Sequence, residues 1–275
     1  MKLCGHTMGM PEKDIFESIS FCAELGIEGI EVRCADIGQM HLEALTADEV
    51  ARIRDHALEE GVEFACLTPY YRDFMTDAAA AATLDGYRIA CGIARELECP
   101  TVRAISGQWP QEGHDRAEVF AKTSAGMKQA ALIAADNGVV LATETHRGQL
   151  TWSAGEAVEF AQAVDHPSVG VLWDHYWVHV RGEDTLEEAA ELLAPWVAHV
   201  HAKDCGRDDK GKPHTTLVGE GELDWCEIIA KMKEIGYDGW ISDEYEKIWH
   251  SERLPEPEVG MKHNAEALRR CIMEA

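Results

Sequence analysis

The sequence predicts a (β/α)₈ barrel, or TIM barrel, formed as a single α/β domain over residues 1–275. Eight short apolar runs typical of buried strands alternate with segments whose apolar residues recur at helical spacing. The 275 residues divide into units of about 34, an ordinary size for this fold. Four segments repeat the order of helix end, glycine and strand: ELGIEGIEV, EEGVEFACL, ADNGVVLAT and EIGYDGWIS.

The predicted strands are short runs rich in β-branched and other apolar residues. In chain order they are Leu3–His6, Gly29–Arg33, Val62–Leu67, Thr101–Ser106, Val139–Glu144, Val169–Asp174, Val197–Lys203 and Gly239–Glu244. The segments between them are predicted to be amphipathic helices, and the alanine-rich stretch 77–99 reads as one long helix or two short ones.

Helix boundaries carry signals of their own. A Ser or Thr followed three residues later by Glu predicts a capping box, and Asp can take the same place. Glycine is expected where a helix ends before a strand. The predicted starts are Thr46/Glu49, Asp115/Glu118, Ser153/Glu156, Thr185/Glu188 and Asp224/Glu227, and the predicted ends are Gly26, Gly61, Gly138 and Gly236.

The alternative with the same strand–helix alternation is a doubly wound open sheet. Such sheets usually carry a G-x-G-x-x-G turn after the first strand for a dinucleotide. The first turn here is Gly5-His6-Thr7-Met8-Gly9, which lacks that pattern. The sequence also has no linker, low-complexity block or break in composition, so we expect one domain.

The composition limits the class of partner. The chain carries 25 Lys+Arg against 50 Asp+Glu, a formal net charge of −25 at pH 7. A surface this acidic repels phosphate backbones, so neither nucleic acid nor an anionic membrane is an expected partner. A small carbohydrate is the expected partner, and a homo-oligomer stays open.

The location is expected to be cytoplasmic. No run approaches the roughly 18 apolar residues of a membrane span, and the N-terminus does not read as a signal peptide. The nine cysteines are scattered without a CxxC pair, which predicts reduced thiols used in packing.

Acidic and imidazole side chains stand at the ends of the last four predicted strands. They are Glu144, Asp174, His201 and Glu244. In a barrel the working site lies at these C-terminal strand ends. Converging carboxylates repel one another unless a cation neutralises them, so the pattern predicts one divalent metal ion. Three carboxylates with one imidazole suit Mn²⁺ or Mg²⁺ and leave Zn²⁺, Co²⁺ or Fe²⁺ open.

These strand ends resemble a known family. The phrases LATETH, VGVLWDHYW, VAHVHAKD, LVGEGELDW and WISDEYE are similar to motifs of the xylose-isomerase-like barrels, the sugar (phosphate) isomerase/epimerase superfamily. His-x-Lys-Asp followed by Gly-x-Gly-x-x-Asp is the most specific of them. The resemblance implies that Glu144, Asp174, His201 and Glu244 hold the metal, and that Glu144 and Glu244 are also the catalytic acid/base pair.

The chemistry of these side chains agrees with that assignment but leaves the reaction open. A metal polarises the oxygens of an α-hydroxy carbonyl, and a carboxylate can take the acidic C–H proton to give an enediolate. Return of the proton on the other face gives an epimerase, and return to the adjacent carbon gives an isomerase. Loss of a β-hydroxyl gives a dehydratase. We expect an isomerase or epimerase of a small unphosphorylated sugar or keto-polyol.

The alternatives are a lyase on the same scaffold and an enzyme like endonuclease IV. The lyase would be a keto-inositol or dehydroshikimate dehydratase, or a C-glycoside-cleaving subunit. The endonuclease branch needs more His ligands and a basic face, which the net charge of −25 disfavours. A non-catalytic barrel would not need converging acids.

Several further residues are expected to contact substrate. By strand alternation His146 shares the side of Glu144, Trp109 offers a ring for stacking on a sugar, and His6 and Glu31 lie where they could line the floor. Lys203 pairs with Asp204 or faces the pocket, and Arg207 follows His201 where family epimerases often place an arginine. Family epimerases often carry His three residues after the ligand Asp. Here that position is Trp177, flanked by His175 and His179, which favours a different or bulkier substrate.

Overall fold

Eight parallel strands close into a barrel in the computed structural model, which describes residues 1–35 and 38–275. Around the barrel the strands follow the order β1-β10-β7-β6-β5-β4-β3-β2. Each barrel strand therefore pairs with the barrel strands that precede and follow it along the chain, and β1 pairs with β10 to close the barrel. Strands β8 and β9 form a separate antiparallel pair. The strands are β1 Lys2–His6, β2 Gly29–Arg33, β3 Glu63–Thr68, β4 Thr101–Ala104, β5 Val140–Glu144, β6 Val169–Asp174, β7 Val197–Ala202, β8 Asp204–Arg207, β9 Pro213–Thr216 and β10 Trp240–Asp243.

Helices surround the barrel and cover its outer face. Within the described part of the chain they are α1 Ile15–Glu24, α2 Ala47–Glu60, α3 Asp77–Glu96, α4 Arg116–Asp136, α5 Ala154–Val164, α6 His175–Arg181, α7 Leu186–Leu193, α8 Trp225–Glu234 and α9 Pro257–Glu274, with short 3₁₀ helices at Thr7–Gly9 and Leu42–Ala44. The hydrophobic core lies between these helices and the strands. Ile19, Ile229 and Met232, three of the residues with helical spacing, are fully buried there.

The predicted fold class is confirmed as a single-domain TIM barrel. All eight predicted strands form, with bounds shifted by at most two residues, and the stretch beginning at Asp77 is one helix rather than two. The hairpin of β8 and β9 was not predicted, because its residues read as a polar loop after β7.

The helix signals are also confirmed. Side chains of Thr46, Ser153 and Thr185 each accept the N–H of the Glu three residues on, and the three capping boxes are complete. Asp115 and Asp224 accept the same bond for α4 and α8. Gly61, with a φ of 70°, ends α2 in the left-handed conformation that glycine adopts without strain.

One expectation about the cysteines is wrong. Cys226 on α8 and Cys271 on α9 form a disulfide, because these two packed helices bring their Cα atoms to 4.6 Å. The other seven cysteines are free thiols and buried, as predicted for packing residues. No helix in residues 1–35 and 38–275 is long and apolar enough to cross a membrane.

Candidate metal centre

Four buried side chains meet at the C-terminal end of the barrel. They are Glu144 at the end of β5, Asp174 at the end of β6, His201 in β7 and Glu244 directly after β10. Each offers one ligand atom, and these four atoms all lie within 4.8 Å of one another. The residues predicted from the strand ends therefore share one site.

The pairing of the strands positions these side chains. Asp174 and His201 are opposite each other in the β6–β7 register. The ends of β5 and β6 are tied by Thr145, whose Oγ1 accepts the N–H of Asp174 at 2.9 Å and donates to its carbonyl oxygen at 3.1 Å. The N–H of Glu244 donates to the carbonyl of Ala202 at 3.0 Å and fixes Glu244 beside β7. The apolar strands thus place these charged side chains close together at one end of the barrel.

The His201 ring is oriented by a carboxylate from the opposite side of the barrel. Its Nε2 lies 3.0 Å from Oε1 of Glu31, whose Oε2 is 2.8 Å from Nε2 of His199. Its Nδ1 faces Oε1 of Glu144 at 3.4 Å and Oε1 of Glu244 at 3.2 Å. A metal-binding imidazole commonly donates its second N–H to a carboxylate, which leaves the other nitrogen for the metal. Glu31 was expected only as part of the floor.

Charge in this cluster shifts the pKa values strongly. Burial lowers the pKa of His201, but Glu244, Glu31 and Glu144 outweigh burial and raise it well above its usual range. Burial raises the pKa of Glu31, but His201, His6 and His199 outweigh it and lower that pKa well below its usual range. The Glu31–His201 pair is therefore held by charge as well as by a hydrogen bond.

The donor set fits a divalent cation. Within the described residues, Oδ1 of Asp174 and Nδ1 of His201 are buried and have no hydrogen-bond partner. Burial raises the pKa of Asp174, despite the nearby Lys203 ammonium. A divalent ion would pair with these orphaned atoms and hold Asp174 ionised. Three carboxylates and one imidazole suit Mn²⁺ or Mg²⁺ and also Zn²⁺, Co²⁺ or Fe²⁺.

Lys203 faces this pocket rather than pairing with Asp204. Its Nζ lies 2.8 Å from Oδ2 of Asp174, 2.5 Å from Oε2 of Glu244 and 3.5 Å from Oε1 of Glu246. Burial lowers the pKa of Lys203, but these carboxylates outweigh it and raise the pKa well above its usual range. An ammonium group, held charged, therefore stands beside the four predicted ligands.

Asp204 has a structural role that explains the Gly-x-Gly-x-x-Asp motif. Its Oδ2 accepts the N–H groups of Gly219 and Gly221 at 2.9 and 3.0 Å, and Oδ1 accepts that of Leu223 at 3.0 Å. A Cβ on Gly221 would collide with the Asp204 carboxylate. The last residue of the motif, Asp224, caps α8. The motif thus folds the loop behind Lys203.

Arg103 is a site residue that the sequence motifs do not predict. Its Nη1 donates to Oε2 of Glu144 at 2.9 Å, and its Nη2 donates to the carbonyl of Pro69 at 3.0 Å. Burial raises the pKa of Glu144, but His146 and Arg103 outweigh it and lower the pKa to about 2. A charged residue inside the apolar strand TVRAIS was the available signal.

Two predicted contacts lie beside the carboxylates. The rings of His146 and Trp177 are 4.8 Å apart, and Nζ of Lys203 is 5.3 Å from the Trp177 ring centre. Burial lowers the pKa of His146. Trp177 therefore forms an aromatic wall near the predicted ligands.

The structure gives four other predicted residues different surroundings. Nδ1 of His6 accepts the N–H of Met8 at 3.1 Å, and its Nε2 is 3.6 Å from Glu31, so it lies behind His201. Burial lowers the pKa of His6 to about 4. His175 packs edge-on against buried Trp173, where burial lowers its pKa to about 3.

Arg207 and Trp109 also differ from expectation. Arg207 lies in the β8–β9 hairpin, where its Nε donates to Glu222 at 2.8 Å and its side chain is 39% exposed. Trp109 is half-buried and packs against the hydrophobic core. Arg207 thus pairs with Glu222, which is 15 residues further along the chain. His175 packs on Trp173, its near neighbour in sequence.

The chain belongs to the xylose isomerase-like TIM barrel family, whose model matches residues 19–271. A D-psicose 3-epimerase of Agrobacterium fabrum is 25% identical over 231 residues, which cover 80% of this chain and 75% of the relative. The homologues are sugar epimerases, isomerases and dehydratases, which supports an enzyme.

Solved structures share the fold over nearly the whole chain. A probable 3-DHS dehydratase of Bacillus anthracis, involved in petrobactin synthesis, has a TM-score of 0.80 at 18% identity and covers 98% of this chain and 99% of its own. The IOLI protein with a bound zinc atom has a TM-score of 0.80 at 17% identity, with 100% and 97% covered.

Proposed function

We propose that this protein is a divalent-metal-dependent isomerase or epimerase of a small unphosphorylated sugar or keto-polyol, acting by proton transfer through an enediolate. The observation that carries the proposal is the convergence of Glu144, Asp174, His201 and Glu244, with one ligand atom from each inside 4.8 Å. Buried charges in this number need a cation or a reacting substrate to offset them.

In this proposal the four residues hold one metal ion. When bound, that ion would polarise the substrate's carbonyl and hydroxyl oxygens and offset the charge of the enediolate. His201 would bind through Nδ1, because Glu31 accepts the N–H at Nε2. Asp174 would bind through Oδ1, which accepts no hydrogen bond from the described residues, while Oδ2 lies 2.8 Å from the Lys203 ammonium.

Glu144 and Glu244 move the proton in this proposal. Arg103 holds Oε2 of Glu144, so Oε1 is the oxygen directed toward the centre of the site. Lys203 donates a hydrogen bond to Oε2 of Glu244, so Oε1 of Glu244 is directed toward the same point. Two carboxylates that flank one point can take a proton from a carbon and return one on the other face. The low pKa of Glu144, about 2, keeps it ionised and able to accept the proton at neutral pH.

The similar proteins support this proposal without fixing the substrate. The Agrobacterium fabrum relative is a D-psicose 3-epimerase, and the IOLI protein of the same fold binds a zinc atom. An enediolate mechanism suits both an epimerase and an isomerase, so the proposal covers either outcome.

The test is solvent deuterium exchange. Keto sugars and keto-inositols are incubated in D₂O with the Mn²⁺-loaded protein, and C–H loss beside the carbonyl is followed by proton NMR. Removal of metal with a chelator should abolish exchange, and Mn²⁺ or Co²⁺ should restore it. Undiminished activity after chelation, with no metal found by elemental analysis, would overturn the proposal.

A lyase is the second candidate, and Lys203 favours it. The buried ammonium, held charged by Asp174, Glu244 and Glu246, could hydrogen-bond to a leaving hydroxyl group and stabilise the negative charge that develops on its oxygen. The candidate substrates are a keto-inositol, a dehydroshikimate-type acid or a C-glycoside. A dehydratase would release water and give a product with new ultraviolet absorbance, whereas an epimerase or isomerase would exchange deuterium without losing water.

A further inference from the structure

A cavity of about 360 Å³ opens beside the metal centre at the ends of β4 and β5. Its walls include Tyr70, Arg72, Arg103, Gln108, His146 and Arg147. Three guanidinium groups thus line one small cavity in a chain whose formal net charge is −25. In so acidic a chain, three arginines at one cavity require an explanation from the groups around them.

Two of these arginines have no carboxylate partner. Among the described residues, Arg72 and Arg147 form neither an ion pair nor a side-chain hydrogen bond, and Arg147 rests over the ring of Trp177 at 5.6 Å. Other surface arginines include ion-paired ones, such as Arg116 with Glu159 at 3.2 Å. Asp and Glu outnumber Lys and Arg by two to one, yet within the described residues neither Arg72 nor Arg147 is paired with an acid.

Arg103 adds a buried donor to the same cavity. Two of its nitrogens are bound by Glu144 and Pro69, but its Nε is buried without a hydrogen-bond partner within the described residues. A buried guanidinium donor left unpaired costs free energy unless a ligand supplies an acceptor. Guanidinium groups bind planar carboxylates and phosphates in bidentate fashion, which neutral sugar hydroxyls cannot match.

We propose that this cavity binds an oxyanion carried by the substrate, a carboxylate or a phosphate, between Arg72 and Arg147 and against Arg103. The inference rests on the proposed function and adds that the substrate carries an acidic group; a carboxylate keeps the substrate unphosphorylated, whereas a phosphate would correct that part of the proposal. Because Arg103 also holds Glu144, an oxyanion in the cavity would anchor one end of the substrate beside the carboxylate that takes the proton. Arg72, Arg103 and Arg147 would then decide specificity without taking part in the proton transfer.

The test compares matched substrates. Deuterium exchange is measured with the Mg²⁺-loaded protein on a neutral keto sugar, on the corresponding keto acid and on the corresponding phosphate ester. We expect the favoured compound to carry an oxyanion. Arg147→Gln and Arg72→Gln should each raise KM for it about 10-fold or more, with kcat within about twofold, because one charge-assisted contact is lost. Arg116→Gln, on outer helix α4, is the matched control and should change neither.

Direct binding separates this inference from the proposed function. Calorimetric titration of the Mg²⁺-loaded protein with malonate and with inorganic phosphate should show binding that the double variant Arg72→Gln/Arg147→Gln loses at least 10-fold. Malonate or the keto acid bound more tightly identifies a carboxylate. Phosphate bound more tightly identifies a phosphate and overturns the unphosphorylated substrate proposed above.

Two results would overturn the inference. The first is faster exchange of neutral sugars than of acidic ones, with KM unchanged in both arginine variants, which leaves the proposed function intact. The second is equal malonate and phosphate binding by the parent and the double variant. If no compound exchanges deuterium, the proposed function fails, and the titrations still decide whether the cavity binds an oxyanion.

Discussion

The two halves of the barrel bring different charged groups to its C-terminal end. The acidic half, built from β5, β6, β7 and β10, ends in Glu144, Asp174 and Glu244. The other half, built from β1 to β4, carries Arg103 in β4 and Arg72 after β3, together with the buried carboxylate of Glu31 in β2. The three carboxylates suit a metal cation, and the two arginines, joined by Arg147 from the loop after β5, suit an anionic group of a substrate. One fold thus provides two neighbouring sites that suit opposite charges.

Two contacts couple the halves across the barrel. Glu31 of β2 accepts the His201 N–H from β7, and Arg103 of β4 donates to Glu144 of β5. In each contact, a charged side chain of one half meets a side chain of opposite charge from the other half. Substitutions can separate the groups that act in the acidic half from those that only position them.

The largest effect is expected in the acidic half. Glu144→Gln and Glu244→Gln should each lower kcat for deuterium exchange by about 10³-fold or more, because each removes a proton acceptor and a charged metal ligand. Glu187→Gln, on the exposed face of α7, is the matched control and should leave kcat unchanged. Near-normal exchange in either site variant would show that its carboxylate carries no proton.

A smaller effect is expected at the contact from β2. Glu31→Gln should raise the dissociation constant for the metal about 10- to 100-fold, because the amide no longer offers a charged acceptor to the His201 N–H. Competition with a fluorescent chelator measures this, and a thermal melt checks folding separately. The matched control is Glu28→Gln, an exposed residue just before β2. Unchanged metal affinity would leave Glu31 with a structural role alone.

The contact from β4 should affect both rate and pH dependence. Arg103→Gln should lower kcat about tenfold, because Glu144 loses the donor that positions it. This corresponds to an increase of ~1.4 kcal/mol in the activation free energy. Removing the guanidinium also raises the pKa of Glu144, since the neighbouring cation had lowered it. Glu144 then becomes protonated at higher pH, so the acidic limb of the rate profile should move upward. A profile identical to that of the parent protein would contradict this assignment.

How much the sequence predicts differs between the halves. Glu144, Asp174, His201 and Glu244 follow apolar strands directly, so strand pattern alone predicts that they meet at the C-terminal ends. Arg72 and Arg147 lie in loops, and their importance comes from the absence of an acidic partner in three dimensions within the described residues. Spacing along the chain does not show which carboxylate an arginine reaches.

The same limit applies to Arg207 and His175. Arg207 follows His201 closely in sequence, but the unpredicted hairpin of β8 and β9 carries it to Glu222. His175 follows Asp174 directly, yet the start of α6 turns it onto Trp173. Glu144, Asp174 and His201 lie inside strands, where the barrel register fixes their direction. Glu244, one step beyond β10, is fixed by the bond from its N–H to Ala202. The directions of Arg207 and His175 depend instead on the segments that follow the strands.

The smallest effect on catalysis is expected from the disulfide, which lies in the outer helices rather than in either half of the barrel mouth. Cys226 and Cys271 are 45 residues apart. Closing a loop of that length lowers the conformational entropy of the unfolded chain and so stabilises the folded protein by about 4 kcal/mol at most. Cys271→Ser should therefore lower the free energy of unfolding, measured by urea denaturation, while deuterium exchange stays within about twofold of the parent. Cys91→Ser, a buried free thiol on α3, is the control for loss of a sulfur atom from the core. A large loss of exchange in Cys271→Ser alone would mean that the outer helices help to position the metal centre. The two halves of the barrel mouth would then not be sufficient to explain activity.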